Sequence, residues 1–527
     1  MARRKSLSHQ RSWAAHRAQE RSLVPFSHHT RHSLALAYAA PYEVGMSSLG
    51  FQRVYELVHN QDDWSCERFF ADGKGMPLSV DHDRPLNEFG CIAFSVSFEE
   101  DYIRLLQMLE RARVPVRRRD RSAYDPLIVM GGSCAAINPL PMAAFIDVFA
   151  LGAAENLLNE MLAALAEESE REAVLERLAE TPGFFVPAHH DPEASGDGFR
   201  SSKLRKLELT GEQMAQSGNL PTTSILTPKT EFADKFLIEM SRGCPEKCRY
   251  CWATFGMGKF RWHPTEAILD SFDRARAETT QLGFVATAVG DHPEIGRILG
   301  TAHEMGFRSS VSSIRIPAVT PEVLEPLYAS GARSITLAPE TGNDRMRFIM
   351  NKPITNAQLL EKVRLIFNHG FQTLKLYFIV GLPGETMEDV EAILSLAAEC
   401  RQIMLEEKAH TGVAGHVHLG TNILIPKPYT PWQREPMDDE RNLKRKISTL
   451  KKGVSQLPNV SIDTMPIRQA VWQTYISRAG SDAADAIEQA AQGRSIAQTL
   501  RGFAERIHPE VFASFPQQLR WHFMRMA

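Results

Sequence analysis

Short apolar runs alternate with amphipathic stretches in two long tracts of this chain. Over residues 33–170 the runs predict strands at 34–39, 64–70, 91–96, 127–130 and 148–151. Phe51, Val54, Tyr55 and Val58 recur at helical spacing after the first of them, and further helices are predicted over 101–112 and 154–166. The second tract, 236–426, predicts strands at 236–240, 284–289, 309–316, 334–338, 373–380 and 417–425, each followed by a helix signal. Thr320-Pro321-Glu322 starts one helix; Thr355 opens another that Gly370 ends; Thr386 with Asp389 opens a third, expected to run to about Cys400.

Strands that alternate with helices build mainly parallel sheets with helices on their faces. The fold class is therefore α/β: a doubly wound parallel sheet over residues 31–170, a partial (β/α)6 barrel over 233–435, and a helical extension over 436–527. Residues 171–232 read as a connector, with a helix at 170–180, a polar stretch at 191–198 and an edge strand at 224–232. Residues 1–30 carry Arg3, Arg4, Lys5, Arg11, Arg17 and Arg21, lack the apolar core of a signal peptide, and read as a disordered basic arm.

A chain of 527 residues is too long for one ordinary core. Lys and Arg (60) nearly balance Asp and Glu (63), so charge gives no argument for a nucleic-acid partner. No run approaches the roughly 18 to 20 apolar residues that span a bilayer. Of the seven cysteines, Cys66, Cys91, Cys134 and Cys400 are scattered, unlike a disulfide framework, and a reducing cytoplasm is expected.

The other three stand together in Cys244-Pro-Glu-Lys-Cys248-Arg-Tyr-Cys251. Three thiolates can hold three irons of a [4Fe-4S] cube and leave the fourth open. An open metal position is where a substrate or cofactor binds. A zinc site is the alternative, and its one local candidate for a fourth ligand is His263.

The spacing, with Tyr250 before the third cysteine, resembles the signature of the radical S-adenosylmethionine (radical SAM) superfamily. Tyr42-Glu43-Val44-Gly45-Met46 and Gly131-Gly132-Ser133-Cys134 resemble the cobalamin-binding-type domain that precedes many radical SAM barrels. The resemblance implies a [4Fe-4S] cluster on Cys244, Cys248 and Cys251, SAM in the barrel mouth, and a reductant such as flavodoxin or ferredoxin. It also implies SAM contacts from the loops after the strands: Gly290 and Asp291 after strand two, Ser313 and Arg315 on one face of strand three, and Glu340 after strand four. Gly381-Leu382-Pro383-Gly384-Glu385-Thr386 matches the family's loop after strand five. Cobalamin is a third cofactor to weigh, although no Asp-x-His-x-x-Gly appears and Asp81-His82-Asp83 does not fit it. The expected function is reductive cleavage of SAM to modify an unidentified substrate, with cobalamin-dependent methyl transfer as the finer form. Two alternatives stay open: an RNA-modifying methylthiotransferase, which would need Cys66, Cys91 and Cys134 to converge, and a non-catalytic iron-sulfur protein.

Overall fold

The computed structural model describes residues 13–26, 30–191, 203–412, 415–515 and 519–526. Its first sheet contains β1 (His32–Tyr38), β2 (Trp64–Phe70), β3 (Cys91–Ser95), β4 (Leu127–Gly131), β5 (Val148–Ala150) and β6 (Phe184–Phe185). They lie in the order β2-β1-β3-β4-β5-β6, all parallel except the last. Such strands are apolar on both faces because helices cover both. Leu34, Leu36 and Tyr38 of β1 join one core with Phe51 and Tyr55 of α1 (Leu49–His59) and Leu157 and Met161 of α3 (Ala154–Glu167). Ala35 and Ala37 join the opposite core with Tyr102, Leu105 and Leu109 of α2 (Tyr102–Arg111). The strand order reverses between β1 and β3, the position where doubly wound sheets bind ligands. Of the expected connector, the helix forms as α4 (Arg171–Glu180), while the polar stretch lies, after Asp191, outside the described residues up to 202.

The second tract supplies β7 (Phe236–Glu239), β8 (Gln281–Val285), β9 (Arg308–Val311), β10 (Ser334–Glu340), β11 (Thr373–Val380) and β12 (His416–Ile423). Parallel ladders join β7 to β8 and β8 to β9, and separately β10 to β11 and β11 to β12. The Ile314 N–H, donating to the Thr336 carbonyl at 3.0 Å, connects the two halves. The result is an open, partial barrel whose outer side is covered by α5 (Thr265–Arg276), α6 (Ile295–Glu304), α7 (Pro321–Ala329), α8 (Asn356–Asn368) and α9 (Met387–Thr411).

Several expectations change. β8 and β9 stop at Val285 and Val311, well short of 289 and 316. Beyond Val285 the small and polar Ala286-Thr287-Ala288 leads into a 3-10 turn at Val289–Asp291, and Pro317 lies in a second turn at Ile316–Ala318. Ser313 and Arg315 thus lie in a loop, where strand alternation does not decide their direction. Helix α9 continues about three further turns past Cys400, to Thr411. The edge strand at 224–232 contracts to Ile225–Leu226, which pairs antiparallel with Arg21–Ser22.

Nor is the described part of the amino-terminal arm free. Trp13 is buried with its indole donating to the Leu78 carbonyl at 3.0 Å, and Glu20 takes both terminal nitrogens of buried Arg68 at 2.8 Å. Arg17 and Arg21 of the arm pair with Asp83 at 2.7 Å and Asp234 at 2.9 Å; residues 1–12 lie outside the described residues. The extension after 436 is helical in α10 (Glu440–Val454), α11 (Ile467–Arg478) and α12 (Ala484–Ala491), but it also adds β13 (Val460–Thr464), parallel to β12. No helix among the described residues is long and apolar enough to cross a membrane.

Asp389 anchors the loop after β11. Its Oδ2 accepts from the Thr386 N–H at 2.7 Å, Oδ1 accepts from the Asn343 amide at 2.8 Å, and Arg345 pairs with it. Burial alone would raise its pKa, but Arg345 and these hydrogen bonds prevail and draw it down to about 2. A lowered carboxyl pKa stabilises the fold above the ordinary value near 4 and loses that contribution as pH falls through about 2. Asp389→Asn is expected to cost about 2 kcal/mol in chemical unfolding at pH 7. The gap from wild type should narrow as pH falls through about 2, and a gap undiminished well below that pH would exclude the ionic origin.

Candidate functional site

The cysteine loop follows β7 at the carboxyl end of the barrel strands, the end where barrels of this kind place their chemistry. A short antiparallel ribbon, Ser241–Arg242 with Arg261–Trp262, closes its base. Gly243, at φ +78°, turns the chain where an added Cβ would stand 3.0 Å from the carbonyl oxygens of Gly258 and Lys259. The far side is tied to the segment after β10: the Arg249 N–H donates to the Met350 carbonyl at 2.9 Å, and the Asn351 amide to the Lys247 carbonyl at 2.8 Å. Connector residue Lys206 donates to the Gly256 carbonyl at 2.6 Å and lies over the Trp252 ring.

Cys244, Cys248 and Cys251 border one cavity of about 290 Å³, with Tyr250, Ser313, Arg315, Glu340 and Lys352 in its walls. No three His, Cys, Asp or Glu side chains among the described residues converge as one metal ion requires. The three thiols share the wall of that one cavity. His263 does not serve as a fourth ligand: it is fully buried, absent from the cavity wall, and its Nε2 lies 3.3 Å from Glu239. Burial pushes the Cys248 thiol up to about 12 and raises that of Cys244. Thiols in such a setting ionise when bound iron supplies the compensating charge.

Glu340 ends β10 through a register shift after Leu337, at φ +66°, a conformation uncommon outside glycine. The Tyr250 hydroxyl donates to its Oε1 at 2.7 Å and the Lys352 ammonium to the same oxygen at 2.9 Å. Lys352 also donates to the Ala338 carbonyl at 2.6 Å. Oε2 is left without a hydrogen bond among the described residues. Burial, and then the Glu340 charge, push the Tyr250 hydroxyl far above its ordinary range, so it acts as a donor.

Arg315 is held by Asp291 and Glu246, one on each terminal nitrogen. Gly290 and Asp291 do not line the cavity. Gly290 packs where an added Cβ would sit 2.7 Å from Ala318, and Asp291 reaches the site through Arg315. Buried Thr254 Oγ1, in the cavity wall, has no partner among the described residues, nor does Asp291 Oδ2. Of the anticipated residues, the fold brings together the cysteines, Tyr250, Ser313, Arg315 and Glu340. Glu246 and Lys352 went unread because no periodic or motif signal marks either; Lys352 stands in line only through the turn after the short helix Asp344–Ile349.

Cys66, Cys91 and Cys134 are buried and do not converge: the first two lie in the core on one sheet face, Cys134 in the core on the other. No second cluster site forms from them. The loops at the carboxyl ends of β1, β3 and β4 contain no histidine. A small apolar cavity of about 80 Å³ runs from Ser95, Gly131, Gly132 and Gly152 to Leu157 and Met161.

A cysteine-lined mouth on an open parallel barrel, behind a doubly wound domain, defines an iron-sulfur enzyme of the nucleotide-activating kind. Comparison with known proteins makes this specific. The family of radical SAM proteins, N-terminal, matches residues 50–187, and the radical SAM superfamily matches 238–397; together they take in more than half of the chain. The chain belongs to the radical SAM superfamily and is an enzyme, with a [4Fe-4S] cluster and SAM as its cofactors. An uncharacterized protein of Methanocaldococcus jannaschii is 23% identical over 89% of this chain and 94% of its own length. A tRNA-2-methylthio-N(6)-dimethylallyladenosine synthase of Chlorobium phaeobacteroides is 28% identical, over 31% of this chain and 39% of its own. The radical SAM methyltransferase TsrM of Kitasatospora setae, solved with cobalamin and a [4Fe-4S] cluster bound, shares the fold: TM-score 0.53 at 12% identity, over 88% of this chain and 99% of that one.

Proposed function

We propose that Cys244, Cys248 and Cys251 hold three corners of the cluster and that the adjoining cavity seats SAM, for modification of a carbon centre in a substrate not yet identified. One observation carries the reading: the three thiols share a single cavity with Arg315 and Glu340. When bound, cluster and SAM supply one-electron chemistry that abstracts hydrogen from unactivated carbon.

The chain's own groups orient that chemistry. Arg315, steadied by Glu246 and Asp291, turns its remaining N–H groups toward a carboxylate. Glu340 offers Oε2 to an ammonium or to ribose hydroxyls, while Tyr250 and Lys352 fix its position. Thr254 adds a buried hydroxyl with no other partner among the described residues. The cysteine loop and the segment after β10 are bonded to each other and hold that wall of the cavity in place. An electron donor is required, and flavodoxin or ferredoxin has the appropriate chemistry.

Cobalamin-dependent methyl transfer is the second reading, favoured by the β2-β1-β3-β4-β5 sheet and the apolar cavity at the Gly131-Gly132 turn. The residues do not fit a cobalamin ligated by histidine from the switch-point loops, because the loops at the carboxyl ends of β1, β3 and β4 contain none. Anaerobic reconstitution, metal analysis and electron paramagnetic resonance test both readings. About four irons per chain and a reduced-cluster spectrum altered by SAM are expected. A spectrum indifferent to SAM counts against the first reading. Cobalt near one per chain supports the second, and its absence rejects it.

A further inference from the structure

The barrel interior carries a feature that the cluster site does not use. In a closed strand-helix barrel the inner side chains fill the interior in packed layers. Here the outer positions of β11, Leu374, Leu376, Phe378 and Val380, are fully buried, while the inner positions Lys375 and Tyr377 remain exposed. Tyr377 keeps 42% of its surface open. Its register partner on β12 is Gly420, and an added Cβ there would meet the tyrosine ring at 2.8 and 2.9 Å. The ring therefore packs against bare backbone at 420 while 42% of the residue's surface stays open. A side chain at 420 would lift it.

Polar groups surround this ring. Lys375 pairs in register with Thr336 on one side and His418 on the other, and has no carboxylate within ion-pair distance among the described residues. His416 and His418 both hydrogen-bond the Ser461 hydroxyl of β13, at 2.7 and 2.9 Å. Asn422, two positions beyond Gly420, is exposed on the same face. The floor continues to the cysteine cavity: Ala338 lines that cavity and shares its strand face with Thr336, the neighbour of Lys375.

We infer that this inner face is the substrate platform, and that it takes a planar aromatic acid, its ring stacked on Tyr377 and its carboxylate on Lys375. Stacking on a seated ring selects flat, unsaturated groups over saturated ones of equal size. An unpaired ammonium beside it selects an anion. The inference rests on the proposed function, since the platform matters to the chemistry only if the reacting centre lies at the cysteine cavity.

Calorimetric titration of the anaerobically reconstituted full chain, with SAM present, tests it. Benzoate should bind at least tenfold more tightly than cyclohexanecarboxylate and than benzamide. Tyr377→Leu should remove the preference for the flat ring while Lys375→Gln removes the preference for the acid, and Tyr377→Phe should keep both. Gly420→Ala, which tilts the ring without deleting it, should weaken the aromatic acid alone. Equal affinity for the flat and saturated acids, failure of both to bind, or indifference to Tyr377→Leu would overturn the inference. Iron content and SAM-dependent spectra of the wild-type sample separate the outcomes: a loaded, SAM-responsive enzyme without aromatic preference rejects the platform alone, and an unloaded one rejects the cluster reading.

Discussion

Replacing Cys248 by Ala is expected to abolish cluster retention and SAM cleavage, the largest effect available from a single side chain. Losing an outer partner of a metal ligand costs roughly 10- to 100-fold; losing a direct thiolate, the role proposed for Cys248, costs more. The same change at Cys66, Cys134 or Cys400 removes one sulfur from an apolar core and should leave iron content unaltered, at a stability cost of about 1 kcal/mol. Iron and sulfide analysis of the variants purified in parallel decides the matter. Retention of four irons by Cys248→Ala would remove this thiol from the ligand set.

Glu99→Ala should give the largest loss of stability. Glu99 follows β3 and is buried; its carboxylate pairs with Lys427 after β12, accepts from the Ser477 hydroxyl of α11 at 2.7 Å, and accepts from the Gln473 amide at 3.2 Å. Burial would raise its pKa, but Lys427 and Ser477 outweigh burial and hold the carboxyl below its ordinary range. Truncating one member of such a pair leaves the other charge without compensation, at a cost of about 3 to 5 kcal/mol. The lower figure is expected, because Lys427 keeps slight access to water. Replacing both by Met should recover most of the loss, as the penalty comes from the stranded charge. A double variant no more stable than Glu99→Ala in denaturant unfolding would show that the packing around Glu99, and not its charge, was at stake.

Legibility in the sequence followed how local each signal was. β2 and β11 match their predicted spans residue for residue; the pattern of β11 leaves little choice, and β2 keeps its span although Glu67 and Arg68 interrupt its apolar residues. β8 and β9 were overextended because Ala286, Ala288 and Ile314 continue the apolar pattern into loops that turn toward the site. β13 carried a fair signal, Val460 and Ile462 alternating with Ser461 and Asp463, but stood among helices. Of the site, the thiol spacing was evident at once. The bonds of Glu340 to Tyr250 and Lys352, 90 and 12 positions away, exist only after folding. Docking of Trp13 and Glu20 likewise depends on partners far along the chain.

The thirteenth strand has a consequence for biosynthesis. Because β13 lies beyond α10 and pairs with β12 along five registered positions, the barrel sheet lacks its last member until residue 464 has left the ribosome. Until then β12 offers an unpaired edge, with His416 and His418 deprived of Ser461. Cofactor insertion into a finished lumen is therefore a late event on the nascent polypeptide, and a translational pause between 423 and 460 would prolong the aggregation-prone interval.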